Sequence, residues 1–275
     1  MLIYCKIIFA TTKNFGILMI VKRAVYFCIL LICIGCSEKK TSSVIVFSPV
    51  FNTHPIECNK AIDIQETAWF VSQLQFFVSN IELQNSQGQW HKPTFEITPE
   101  QTENVALIGN ACQGSEAGNW QLKFANNINF DDVNAIRFSL GVPFEQNHLN
   151  PLTQASPLNV SSMFWVWQTG HKFARIEMNS EFDDWLFHLG STGCKSPSVM
   201  RSPSDACLYP NLYTMELALT DTNEIVFDLA NLLGDLKLSM ETSCQSEHDN
   251  AACQQLFSHL NQEDEHTVFR TILND

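Results

Sequence analysis

Five side chains that could carry chemistry are concentrated between residues 148 and 188. They are three histidines and two tryptophans: His148, Trp165, Trp167, His171 and His188. Neutral imidazole is a common protein ligand for copper and zinc, so the histidines are candidate metal ligands. A single histidine is nevertheless ordinarily structural, and aromatic residues two apart on a strand ordinarily fill a core. The pattern alone therefore leaves both interpretations open.

The sequence lacks the signatures of several enzyme classes. It contains no Gly-rich phosphate loop, no HExxH zinc motif and no GxSxG nucleophile elbow. Ser161 and Ser191 have no spacing signature beside a His/Asp pair, and the acidic pair Asp183-Asp184 is typical of a solvated turn. The central segment therefore favours a metal site over a serine hydrolase.

Short β-branched and aromatic stretches, separated by turn residues, must position these side chains. The predicted strands cover residues 43–50, 69–83, 104–109, 120–124, 135–140, 163–167, 171–178, 185–189, 213–219 and 224–227. The last two are predicted to form a hairpin across Asp221-Thr222-Asn223. Helical spacing is confined to residues 228–233 and 253–260. The pattern predicts an all-β protein, a β-sandwich with long irregular loops and short C-terminal helices.

The candidate histidines fall in loops or at strand ends of this scheme. His148 lies in segment 144–159, where Pro151 and Pro157 exclude regular strand pairing. His188 ends a predicted strand at the rim of the sandwich, where side chains meet loops. His54, in a loop close to Cys58, is a further candidate ligand.

Residues 1–36 have the features of a secretory signal peptide. Lys22 and Arg23 precede the apolar run 24–34, which is short for a membrane span and ends at Gly35-Cys36. Cys36 resembles the cysteine of a bacterial lipobox, which predicts lipidation; an ordinary cleaved signal is the alternative. Met19 is an alternative start. Residues 37–42 are then a tether, and residues 43–275 form one domain.

The serine after Cys36 resembles a sorting signal for the outer membrane. The sequence therefore predicts an exported periplasmic protein, an outer-membrane lipoprotein that contacts the membrane through its lipid anchor only.

Six cysteines follow the leader: Cys58, Cys112, Cys194, Cys207, Cys244 and Cys253. An even number in an exported protein favours disulfides over thiolate metal ligands. The favoured pairs are Cys58–Cys112, Cys194–Cys207 and Cys244–Cys253, because the last two close short polar loops and the first joins two strand regions. A zinc site is the alternative, although no CxxC pair is present. The fold is therefore expected to be stapled by disulfides.

The net charge of the 275-residue chain is −13, and the part after the leader is more acidic still. The leader contains four basic residues and no acidic one: Lys6, Lys13, Lys22 and Arg23. The remainder carries 12 basic residues against 29 acidic ones, a net charge of −17. Such a surface repels nucleic acid and anionic lipid and tolerates metal ions. The acidity could equally serve only to keep an exported protein in solution.

The central segment also resembles a known family. The residues that carry the resemblance are Leu140-Gly141-Val142-Pro143-Phe144, Asn147-His148, Pro157-Leu158-Asn159, the run 163–173 (MFWVWQTGHKF) and the run 188–194 (HLGSTGC). Residues 73–81 (QLQFFVSNI), residues 104–107 (NVAL) and the C-terminal Cys244, Cys253 and Phe257 are similar as well. Together they resemble the MbnP-like family of methanobactin-associated periplasmic copper-binding proteins, also called metallo-mystery-pair four-Cys proteins. The resemblance covers essentially all of residues 43–275.

The resemblance implies a copper-binding domain with copper as its cofactor. It implies His148 and His188 as ligands, whereas His171 and His54 are candidate ligands from their residue type and position alone. It also implies a partner, a dihaem cytochrome c peroxidase-like protein of the MauG type, that oxidises Trp165 or Trp167 to kynurenine. Kynurenine offers an amine and a carbonyl that indole lacks, and nitrogen ligands favour copper. The protein would be the substrate of an enzyme rather than an enzyme itself, acting in copper acquisition, storage or delivery.

Two other functions are compatible with the same residues. A copper-dependent oxidase would use an open coordination position and would need substrate access. A metal-free β-sandwich that binds carbohydrate or mediates adhesion would stack its aromatic rings on sugars, and metal would have no effect on it.

Overall fold

The structure, a computed structural model, describes residues 43–112, 117–165, 170–197, 201–219, 222–261 and 267–272. The predicted signal peptide, the tether, the lipidation site Cys36 and the candidate Trp167 lie outside the described residues. Within the described ranges, no helix is long and apolar enough to cross a membrane.

A large sheet forms one layer of the fold. Over the described ranges it has eight strands: β3 (Ala61–Ile64), β4 (Thr67–Asn85), β5 (Trp90–His91), β6 (Val105–Asn110), β8 (Val133–Leu140), β11 (Ala174–Asn179), β12 (Asp184–Leu189) and β13 (Tyr213–Ala218). The long strand β4 is its centre and pairs antiparallel with β3, β5, β6, β8 and β11. Asn80 has a positive φ of 51°, and the register with β8 shifts between Ser79 and Glu82, which bends β4.

A smaller sheet forms the second layer. Its strands are β1 (Val44–Phe51), β2 (His54–Pro55), β7 (Gln121–Lys123), β14 (Glu224–Asp228) and β15 (Phe269–Thr271). β1 pairs in parallel with β14, and the remaining pairs are antiparallel. The first strand of the domain is therefore held between segments far along the chain.

Phenylalanine side chains from both sheets pack edge to face between the layers. The ring of Phe47 in β1 lies 5.7 Å from that of Phe76 in β4, and Phe269 in β15 lies 5.4 Å from Phe138 in β8. All four side chains are buried. Edge-to-face contact adds to the free energy of burying these large rings. The predicted β-sandwich is confirmed.

A two-stranded ribbon and short helices complete the fold. The ribbon pairs β9 (Phe164–Trp165) with β10 (Gly170–His171). The helices are α1 (Phe144–Asn147), α2 (Leu229–Leu233) and α3 (Ala251–Leu260), so two of them lie in the C-terminal region as predicted. The three favoured disulfides form: Cys58–Cys112, Cys194–Cys207 and Cys244–Cys253.

The hairpin predicted for residues 213–227 does not form, and that prediction was wrong. β13 pairs with β8 in the large sheet, whereas β14 pairs with β1 in the smaller one. Alternation of apolar residues indicates which face of a strand is buried, but it does not indicate the partner strand. The predicted strand 171–178 is also divided, because His171 belongs to the ribbon and β11 begins at Ala174.

Candidate metal centre

His188, Glu177 and Arg175 form a hydrogen-bonded group on neighbouring strands. Alternation on β11 directs Ala174 and Ile176 into the core and leaves Arg175 and Glu177 on the other face. Arg175 is paired with His188 across the strands, so their side chains share that face. The Nε2 of His188 donates to Oε1 of Glu177 at 2.7 Å, and Arg175 donates to both carboxylate oxygens, at 2.6 and 3.0 Å.

The other ring nitrogen of His188 has a different environment. The side chain is buried, and its Nδ1 has no hydrogen-bond partner among the residues that the structure describes. Burial lowers the pKa of His188, although Glu177 opposes the shift, so burial favours the neutral imidazole. Because the Nε2–H of His188 donates a hydrogen bond to Glu177, the proton of the neutral ring stays on Nε2 and the lone pair lies on Nδ1. This nitrogen is available to a metal ion.

Two cations balance the carboxylate of Glu177. Burial raises the pKa of Glu177, but hydrogen bonds from His188 and Arg175 outweigh it and lower the pKa to about 2. Burial and the charge of Arg175 lower the pKa of Lys172 to about 8. Lys172 and Arg175 both donate to the carbonyl of Ser162, at 2.9 and 3.3 Å. These bonds connect the group to the turn that leads into β9.

Trp165 lies beside His188. The ring centroids are 6.3 Å apart and the indole is 4% exposed. Gly190 makes this packing possible, because a Cβ there would lie 2.6 Å from Cζ3 of Trp165 and 2.8 Å from the carbonyl oxygen of His171. The ribbon β9–β10 and the end of β12 thus bring a tryptophan to the candidate ligand.

A second group joins His148 and His171 through Asn147. Oδ1 of the buried Asn147 accepts the backbone N–H of His171 at 2.7 Å, and its Nδ2 lies 3.2 Å from Nε2 of His148. The ring nitrogens of His171 face two carbonyl oxygens, that of Asn147 at 3.0 Å and that of Leu158 at 2.8 Å. Burial lowers the pKa of His171, while these carbonyl contacts oppose the shift. The ring of His171 therefore bridges the segments that contain Asn147 and Leu158.

Cysteine sulfurs lie near two other possible ligands. One group combines His148 with Cys194 and Cys207, and another combines Glu247 with Cys244 and Cys253. In both, the sulfurs are joined in a disulfide and are not thiolates. Neither group offers a complete set of metal ligands in this state.

Comparison with known proteins identifies the relatives of this chain. The sequence model of the family described as MbnP matches residues 40–248. The chain belongs to the MbnP family. Membership associates it with methanobactin and with a copper-related role, in a family not known as enzymes. No curated protein sequence gives a significant match.

The structure of MbnP from Methylosinus trichosporium has a similar fold. The TM-score is 0.66 at 20% sequence identity, and the match covers 78% of this chain and 86% of the MbnP chain. At this identity the likeness shows the fold alone. The assignment to the MbnP family therefore rests on the sequence match.

The structure distributes the predicted site residues of this MbnP-family protein over three places. His188 lies with Trp165, and His148 lies with His171. His54 is exposed on β2, at the edge of the smaller sheet. All four histidines remain predicted ligands, and Trp165 and Trp167 remain predicted modification sites.

Two residues that position these histidines were missed by the sequence reasoning. Glu177 orients His188, and Asn147 orients His148 and His171. A signal for Glu177 was present, because an Arg-x-Glu pair on a predicted strand puts both charges on one face. No local pattern indicated the role of Asn147, because His171, whose backbone N–H it accepts, lies 24 residues further along the chain.

Proposed function

We propose that this protein is an exported copper-binding protein, with His188 as a ligand and Trp165 as the side chain that is oxidised to kynurenine. The observation that supports it best is the buried Nδ1 of His188, which has no hydrogen-bond partner among the described residues. A buried polar atom without a partner is costly unless a ligand satisfies it. Copper is compatible with imidazole nitrogen and with the family's role.

Glu177 would fix the tautomer of His188 that binds the metal. A carboxylate that accepts one ring N–H of a histidine fixes its tautomer and raises the basicity of the other nitrogen. The two bonds from Arg175 hold the carboxylate in position and balance its charge. Bound copper would accept the Nδ1 lone pair.

Trp165 would supply a further ligand after oxidation. Oxidative cleavage of the indole C2–C3 bond adds two oxygen atoms and gives N-formylkynurenine. At the haem of the partner the two atoms would come from one dioxygen, or from two molecules of hydrogen peroxide that leave two waters. Water then hydrolyses the formyl group, which releases formate and leaves an aromatic amine. The 6.3 Å between the Trp165 and His188 rings would put these new donors near Nδ1. Trp167 is the alternative target.

The other three histidines are proposed to have different roles. His148 stays a predicted copper ligand, but the contacts of its Nε2 are with Asn147 and Cys207, so we propose it for a separate site rather than as a ligand beside His188. His171 would have to give up a carbonyl contact to bind copper, and we propose that it mainly positions the loops. His54 stays a prediction without a described contact to either group.

Co-production with a dihaem partner tests the proposal. Peptide mass spectrometry should find kynurenine at Trp165 in the parent and none in Trp165→Phe, with Trp167→Phe as the matched variant. Copper titration should show strong loss of affinity in His188→Ala and none in His91→Ala, a control at the exposed residue of β5. Unmodified tryptophans, together with unchanged copper binding by the His148→Ala, His188→Ala double variant, would refute it.

Export and anchoring are part of the proposal as well. We infer that residues 1–36 direct export and that Cys36 carries the lipid. Fractionation of cells that produce Cys36→Ala should move the protein from the membrane to the periplasmic fraction. If parent and variant are distributed equally, the lipid anchor is refuted.

A further inference from the structure

His148 and the disulfide Cys194–Cys207 form a compact group next to Asn147. The ligand atoms of the three residues all lie within 4.8 Å of one another, and Nε2 of His148 is 3.4 Å from Sγ of Cys207. His148 and Cys207 are buried, whereas Cys194 is partly accessible and follows the exposed Gly193. The group is therefore buried at one end and accessible to a reductant at the other.

Asn147 determines which nitrogen of His148 carries the lone pair. Its Oδ1 accepts the backbone N–H of His171, so its NH₂ group must face Nε2 of His148, which then acts as acceptor. The unprotonated nitrogen of a neutral His148 thus lies next to the sulfur of Cys207. As a disulfide that sulfur is a poor metal ligand, whereas a thiolate there would be a strong one.

The spacing matches that of a metal site. In tetrahedral Cys/His sites the metal–nitrogen distance is about 2.0 Å and the metal–sulfur distance about 2.3 Å, which puts nitrogen and sulfur about 3.5 Å apart. The observed separation between His148 and Cys207 is 3.4 Å. Two thiolates on one metal lie about 3.8 Å apart. The Cα atoms of Cys194 and Cys207 are 4.0 Å apart, so rotation of the side chains can reach this distance once the bond is open.

We propose that Cys194–Cys207 is a redox gate over a second metal site, which binds copper(I) through two thiolates and His148 when the disulfide is reduced. A dithiol reductant would supply two electrons and two protons, and would itself become a disulfide. Each cysteine then loses its proton as its sulfur binds the metal. Thiolates and imidazole together select a thiophilic ion such as copper(I). The site goes beyond the proposed function, because it needs neither His188 nor a modified tryptophan.

Anaerobic titration with copper(I) tests the gate. The full chain is titrated before and after treatment with a phosphine reductant, and thiolate-to-copper absorption in the near ultraviolet is followed. We expect the reduced protein to bind one more copper(I) than the oxidised protein. The gain should disappear in Cys194→Ser, Cys207→Ser and weaken at least tenfold in His148→Ala. It should persist in His188→Ala, so failure of the gate is distinguishable from failure of the proposed copper centre.

Alkylation of the reduced parent needs no variant, so its result does not depend on whether a variant folds. Copper(I) should protect Cys194 and Cys207 from iodoacetamide in peptide mass spectra, while Cys58 and Cys112 serve as the unprotected control pair. Equal alkylation of both pairs in the presence of copper(I) would overturn the proposal. So would a reduced parent that binds no additional copper, or a gain that Cys194→Ser, Cys207→Ser retains.

Discussion

Replacement of Glu177 by glutamine should weaken copper binding at His188 while leaving the fold intact. Glutamine has the shape of glutamate but only one acceptor oxygen. In the parent, Oε1 accepts from both His188 and Arg175, and Oε2 accepts a second bond from Arg175. The NH₂ of the glutamine must therefore face an N–H donor at one of these positions. The charge that raises the basicity of His188 is also removed.

The size of the effect follows from these bonds. A hydrogen bond to a charged group contributes about 1.5 to 3 kcal/mol and is roughly twice as strong as a neutral one. Glu177→Gln should therefore cost about 1 to 1.4 kcal/mol of copper-binding free energy, or about a five- to tenfold rise in Kd. Glu177→Ala removes the bond altogether and should approach the upper end of the 10- to 100-fold loss, roughly, that is typical when a partner of a metal-bound histidine is lost.

Competition titration against a copper chelator measures these changes. Glu82→Gln is the matched control, because Glu82 accepts two bonds from Arg137 on the same sheet, at 3.0 and 2.5 Å, and bonds to no histidine among the described residues. Thermal unfolding checks that both variants fold. If Glu177→Gln binds copper as tightly as the parent, or if Glu82→Gln weakens binding equally, Glu177 does not prepare His188.

Three further changes test the surroundings of the site. Asn147→Ala should destabilise the fold by about 1 to 3 kcal/mol in denaturant unfolding, because the backbone N–H of His171 loses its acceptor; an unchanged midpoint contradicts this. Gly190→Ala should cost about 1 to 3 kcal/mol by the same measurement and weaken copper binding, since the new Cβ would lie 2.6 Å from Trp165; retention of both properties would show that the indole can move freely. Burial raises the pKa of Tyr213 from 10.0 to about 12, so its contribution to stability is present below pH 10 and is lost as the pH rises towards 12. Tyr213→Phe should therefore flatten the fall in stability over that alkaline window, and an identical fall in both proteins would be the contrary result.

Much of the fold could be predicted from the sequence because it depends on local properties. Alternation of apolar residues marked most strands, and helical spacing marked the two C-terminal helices. The cysteine pairs Cys194–Cys207 and Cys244–Cys253 could be inferred because their separations along the chain are only 13 and 9 residues. The candidate histidines and tryptophans were also visible as residue types, before anything was known of their neighbours.

Strand partners and the state of each side chain were decided only by the tertiary structure. β14 pairs in parallel with β1, although Glu224 and its partner Val46 are far apart in sequence. Whether Nδ1 of His188 is free depends on the register of β11 and β12, which brings Glu177 to Nε2. His171 and His188 look equivalent in the sequence. In the structure both ring nitrogens of His171 face carbonyl oxygens, whereas Nδ1 of His188 has no hydrogen-bond partner among the described residues. Such differences arise from hydrogen bonds between distant segments, which local residue patterns do not predict.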